Sequence, residues 1–93
     1  MSYTYVLRSD RDKRFCTGAA RDLRARVREH ARGRVRSTAR RRPLTLIYYE
    51  ACHDVDDAFR RERFLKTDKG KRFRRNRLAS FLNRSDIEQL ERD

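Results

Sequence analysis

One segment of this chain is far more apolar than anything around it: Leu44–Ala51, which reads Leu-Thr-Leu-Ile-Tyr-Tyr-Glu-Ala. The chain has 93 residues, 43% of them charged, so apolar surface is scarce. A run of this kind reads as a central strand buried on both faces. Whatever forms must be built around it.

The other apolar residues fall in short, patterned runs, which predicts a fold rather than disorder. Tyr3–Arg8 alternates as a strand, with Tyr3, Tyr5 and Leu7 on one face and Thr4 and Val6 on the other. A polar turn over Ser9–Lys13 leads into a second short strand, Arg14–Gly18, giving an antiparallel hairpin. Gly18 closes that strand and permits an unusual backbone before the first helix. Arg21–Ala31 reads as a helix with Leu23, Val27 and Ala31 as its apolar stripe.

A basic loop spans Ala31–Pro43, and Pro43 stops any helix from crossing it. After the apolar run, Asp54 caps a helix with Asp56 and Asp57 in its first turn. That helix runs to about Lys66 with Val55, Ala58, Phe59 and Leu65 as its stripe. Gly70 then separates it from a third helix, Lys71–Leu82, with Leu78, Phe81 and Leu82 inward. Ser85–Leu90 reads as one more helical piece, capped by Ser85 with Glu88 three residues on. Arg92 and Asp93 are expected to fray. The order β-β-α-β-α-α is that of an α+β domain over residues 1–83 with a short C-terminal extension, 84–93.

Lys and Arg number 26 against 14 Asp and Glu, a net charge of +12. Such a balance favours a polyanion as partner, nucleic acid above all. No run approaches the ~20 apolar residues that a membrane span needs, and the N-terminus lacks a signal-peptide pattern. Cys16 and Cys52 do not make a disulfide framework and read as reduced thiols of a cytoplasmic protein. Cys52-His53 lacks the further ligands of a zinc site.

Three polar residues break the helical patterns. On a wheel of roughly 100° per residue, His30 falls about 20° from Leu23 and Arg26 about 60° from it. Glu62 falls about 20° from Val55. Charges turned toward a domain's interior need partners or a function. For Glu62 the plain alternative is a salt bridge to an Arg of a neighbouring helix. Yet Tyr5 and Cys16 of the hairpin could converge with Arg26, His30 and Glu62, and these are parts for phosphodiester hydrolysis. A carboxylate can hold one hard divalent cation such as Mg²⁺. A guanidinium can neutralise charge on a phosphorane-like state. An imidazole or a phenol can take the proton of an attacking water.

The ordered set of motifs resembles the GIY-YIG nuclease domain, in particular its small single-domain bacterial members. The first motif would be Tyr3-Thr4-Tyr5 and the second Cys16-Thr17-Gly18, with ten residues between Tyr5 and Cys16. Asp22-Leu23, Arg26-x-x-x-His30, Gly33–Thr38, Arg42-Pro43, Leu46–Glu50 and Glu62 follow in order. The likeness covers about residues 3–82.

The resemblance implies a three-stranded antiparallel sheet flanked by helices. It implies metal-dependent cleavage of DNA, as in repair or processing, with one Mg²⁺ or Mn²⁺ on Glu62. By the same carry-over Arg26 stabilises the transition state, and Tyr5 and His30 position or deprotonate the water. Asn76 is the match for the family's late asparagine, although the wheel turns it away from the Leu78 face. The chain departs from the pattern at Cys16, which stands where the family has its second tyrosine. A thiol is shorter than a phenol and a weak hydrogen-bond donor.

Arg34, Arg36, Arg40, Arg41 and Arg42 surround Ser37 and Thr38. They read either as a solvated mobile loop or as a phosphate clamp that binds without reading sequence. Tyr48 and Tyr49 face opposite sides of a strand, one in the core and the other free to stack on a base or line the site. Three functions stay open at this point. They are a metal-dependent endonuclease, a non-catalytic nucleic-acid-binding module on the same fold, and a basic adaptor for proteins. The substrate is expected to be DNA, with RNA open. Specificity would come from shape or from a protein partner.

Overall fold

A computed structural model of the chain describes residues 1–92. Asp93, for which fraying was expected, lies outside the described residues. The sheet has three strands, β1 (Ser2–Ser9), β2 (Phe15–Ala20) and β3 (Leu44–Cys52), in the order β2-β1-β3 and antiparallel throughout. Four helices complete the fold: α1 (Leu23–Ala31), α2 (Val55–Leu65), α3 (Asp68–Arg77) and α4 (Arg84–Arg92). The α+β class and the antiparallel sheet agree with expectation.

The central strand does not. The most apolar run is the edge strand β3, and β1 lies in the middle, with Thr4, Tyr5, Val6 and Leu7 all essentially inaccessible. β1 hides its polarity well: the Thr4 hydroxyl donates to the Ala58 carbonyl of α2 at 2.8 Å, so a polar residue sits there at little cost. β3 spends its apolar surplus differently. A bulge between Val6 and Leu7 pairs Val6 with Tyr48 and Leu7 with Leu46, which leaves Ile47 as the extra residue. Ile47 and Tyr48 then both pack under Val6, while Tyr49 faces the other side.

The hairpin turn is tied by the Ser9 hydroxyl, which accepts from the backbone of Arg11 and Asp12 and donates to the Arg41 carbonyl. Gly18 lies within β2, paired with Tyr5, rather than at an unusual backbone position beyond it.

α1 starts two residues later than expected because Asp22 caps it, accepting from Ala25 N at 3.0 Å. Its end is sharp. Gly33, at φ 75°, donates to the His30 carbonyl and Arg34 donates to the Glu29 carbonyl, the paired bonds that stop a helix at a left-handed residue. Asp54 caps α2 as expected.

Gly70 is not a separator. It lies inside α3, which begins at Asp68 behind a Thr67 cap. Gly70 is buried where any Cβ would strike the Phe64 carbonyl and the Leu65 backbone. α4 starts before the expected Ser85: Asn83 and Asp86 exchange reciprocal bonds, Asp86 N to Asn83 Oδ1 at 2.8 Å and Asn83 N to Asp86 Oδ2 at 3.2 Å.

Behind the sheet, Val6, Phe15, Leu82 and Leu90 form the core with Ile47, Tyr48, Leu78 and Ile87 against them. Phe59 and Phe81, expected inward, are largely exposed. Phe81 instead carries the Arg8 guanidinium over its ring, 5.2 Å from the centroid. No helix among the described residues is long and apolar enough to cross a membrane.

Candidate active site

The middle of β1 presents Tyr5 to the α1 side of the sheet. Its phenol lies directly over Gly18, and a side chain at Gly18 would occupy the space of the Tyr5 ring end. The Tyr5 oxygen reaches His30 Nε2 at 2.9 Å, and His30 Nδ1 reaches Thr38 Oγ1 at 2.8 Å. Thr38 in turn donates to the Val35 carbonyl at 3.4 Å. The tautomer of His30 sets the direction of both bonds. With the Thr38 hydrogen on Val35, Thr38 accepts from the Nδ1–H of His30, and a bare Nε2 accepts from the Tyr5 hydroxyl. All three side chains are buried.

The electrostatics agree with a neutral imidazole. Burial holds the His30 pKa below the usual histidine value, and the nearby Arg26 charge lowers it further. Burial pushes the Tyr5 phenol up, while the Arg26 guanidinium beside it pulls in the other direction. Arg26 also pairs loosely with Glu29, one turn on, at 3.5 Å.

A cleft of about 790 Å³ opens over this line and runs across the edge strand β2. Tyr5, Cys16, Thr17, Gly18, Arg26, His30 and Glu62 all line it. The structure thus gathers Tyr5, Cys16, Arg26, His30, Glu62 and Arg41 of the residues singled out from the sequence; Tyr3, Asn76, Arg34, Arg36, Arg40 and Arg42 lie outside the lining. Glu62 is turned inward on α2, as the wheel predicts. Its partner is not an Arg of another helix but exposed Lys66 on its own, at 3.6 Å. Cys16 pairs with Leu7 across the hairpin and is half-buried, its thiol pushed up by burial.

The basic loop contributes less than its composition suggests. Arg41 lines the cleft, held by Asp12 at 3.1 Å. Arg34, Arg36 and Arg40 are exposed and lie outside the cleft lining. Arg42 folds back onto its own loop, donating to the Ala39 carbonyl at 2.9 Å. Asn76 is likewise exposed and outside the lining. From α3 it is Lys71 and Arg74 that face the cleft, with Arg74 buried and donating to Thr17 at 2.8 Å. Sequence reasoning missed Thr38, Lys66, Lys71 and Arg74. The spacing of Gly70 and Arg74, four residues apart on one helical face, was the available signal for the last. Thr38 had none beyond its place in the loop after His30.

No solved structure matches this chain. The GIY-YIG catalytic domain model matches residues 1–77. UPF0213 proteins from three Staphylococcus aureus strains, Mu3, Mu50 and N315, are each 36% identical over 66 residues, covering 70% of this chain and 79% of theirs. With the sheet order, the tyrosine-bearing central strand and the match over nearly the whole chain, this protein belongs to the GIY-YIG family of nuclease domains.

Proposed function

We propose that this protein is a divalent-metal-dependent endonuclease that hydrolyses DNA phosphodiester bonds. The observation that carries the reading is the buried line Tyr5–His30–Thr38, which meets Arg26 and Glu62 at one cleft edged with cations. Arg41, Lys66 and Lys71 attract the phosphate backbone without reading bases.

In the His30 tautomer with Nδ1–H on Thr38, Tyr5 directs its own hydrogen at Nε2, so a lone pair of its oxygen can face a water in the cleft. As that water attacks phosphorus, its proton moves to the Tyr5 oxygen and the Tyr5 proton passes to His30 Nε2. His30 keeps its Nδ1–H on Thr38 throughout. Burial disfavours the imidazolium so formed, and the negative charge growing on the phosphate offsets that. Arg26, beside Tyr5 in the same cleft, neutralises that charge.

Among the described residues no three His, Cys, Asp or Glu side chains cluster as a ready metal cage. A lone inward carboxylate still fits one hard cation such as Mg²⁺ or Mn²⁺, because such ions keep waters and take substrate phosphate oxygens as ligands. The loose Glu62–Lys66 pair leaves Glu62 able to serve. When bound there, the ion would act as a Lewis acid toward the phosphate and its leaving oxygen.

Cys16 favours a second reading, a nucleic-acid-binding module with impaired turnover. Its half-buried neutral thiol cannot reach where a phenolic oxygen would. Incubation with plasmid, branched and single-stranded DNA in Mg²⁺ or Mn²⁺ separates the two. The enzyme reading requires cleavage of at least one substrate that Glu62→Ala abolishes. Cleavage that appears only in Cys16→Tyr assigns the protein to the second reading.

A further inference from the structure

The sequence singled out two tyrosines that the active site does not use, Tyr3 and Tyr49, and the structure puts them together. Tyr49 pairs in register with Tyr5 on the neighbouring strand, so its side chain leaves the same face of the sheet as the catalytic phenol. Its ring meets Tyr3 edge to face, with centroids 6.3 Å apart and planes at 62°. Tyr49 is 55% exposed although it stands on a sheet face, because α1 covers that face only in part.

The two rings line a second cleft of about 820 Å³, floored by Leu23, Val27 and Leu46. Its rim carries Arg21, Arg24 and Arg28, all exposed, against one carboxylate, Asp22, which caps α1. Helix geometry relates this cleft to the active site. Arg24 and Arg28 lie about 100–140° round the wheel from Leu23, while Arg26 and His30 lie on the opposite side. α1 therefore stands between the two clefts, and a helix is roughly 10 Å across.

We propose that the Tyr3–Tyr49 cleft takes an unpaired nucleobase of the substrate, making this a nuclease for DNA with a single-stranded branch or end. The proposal rests on the endonuclease reading for the substrate's identity, but its chemistry is separate. Exposed aromatic rings bind bases through their π-faces, and those faces are free only where bases are not stacked in a duplex. The arginines supply phosphate contacts around them. A strand cut beside Tyr5 need only cross α1 for its unpaired continuation to reach Tyr49.

Binding measured without metal tests this independently of turnover. Fluorescence anisotropy of a labelled oligothymidylate and of a duplex, both in chelator, is compared for wild type, Tyr49→Ala and Tyr49→Phe. The exposure of Tyr49 lets the alanine variant fold, and an unchanged thermal midpoint checks it. Tyr49→Ala should weaken single-strand binding about tenfold and leave duplex binding within about twofold, with Tyr49→Phe close to wild type. Arg24→Gln with Arg28→Gln should flatten the salt dependence on the single strand alone. Equal losses on both ligands, or no loss on either, overturn the proposal. So does a dimer in sedimentation that Tyr49→Ala converts to monomer while single-strand affinity holds, since a second copy would then be the occupant. If single-strand binding depends on Tyr49 but no substrate is cut, the nuclease reading fails and the base-binding cleft stands.

Discussion

The Tyr5 phenol rests on the bare Cα of Gly18, its partner across the β1–β2 ladder. The fit explains why a glycine is needed in the interior of a strand, where it is otherwise unfavourable. Gly18→Ala would push the ring end off its place, and the ring is walled in by buried neighbours. We expect a stability loss of about 1–3 kcal/mol and a larger fractional loss of cleavage, since the 2.9 Å contact to His30 moves with the ring. Denaturant melts beside plasmid nicking rates check both.

Thr38 is expected to matter although it touches no substrate. Thr38→Val keeps the shape and removes the acceptor for His30 Nδ1–H. A buried donor left without a partner costs about 1–3 kcal/mol. The imidazole is then free to take the other tautomer, whose Nε2–H can no longer accept from Tyr5. Cleavage should fall at least tenfold while DNA affinity in chelator stays put; Thr38→Ser should recover most of it. Full activity in the valine variant would remove Thr38 from the mechanism.

The lowered His30 pKa gives a signed pH dependence. Between its folded value and the ordinary one near 6.5, the unfolded chain holds more protons at this site than the folded one. Stability therefore rises with pH through that window. The contribution is complete above about 6.5 and is lost as pH falls toward the depressed value. His30→Gln should flatten that part of the stability profile. The acid limb of cleavage should likewise lie below the usual histidine range, because the base stays neutral there.

The rail of cations on the cleft predicts a contrast between two sets of charges. Changing Arg41, Lys66 and Lys71 to Gln should lower the slope of log affinity against log salt by about 2–3 on duplex DNA. Changing Arg34, Arg36 and Arg40 should do less, since they stand outside the cleft. Equal effects would return the clamp to the whole loop.

Periodicity made much of this legible. Arg26, His30 and Glu62 were visible because each breaks an apolar stripe, and the fold places all three on one cleft. The strand order was not legible. Leu44–Ala51 looked central on hydrophobicity, but a bulge lets an edge strand bury two consecutive residues on one side. Gly70 looked like a break because glycine usually is one; only the approach of the α2 backbone shows why it sits within a helix. Thr38 could not be found from spacing, since its role depends on how a loop of irregular backbone returns to His30.

α4 closes on β1 across a long separation in sequence. Leu90 and Ile87 sit under Val6, and Arg8 binds Asp86, 78 residues away, at 3.1 Å. The strand that carries Tyr5 thus takes its rear wall from a helix far along the chain. Loosening α4 alone would wet the Val6 side of β1 while the Tyr5 side keeps its own cover from α1.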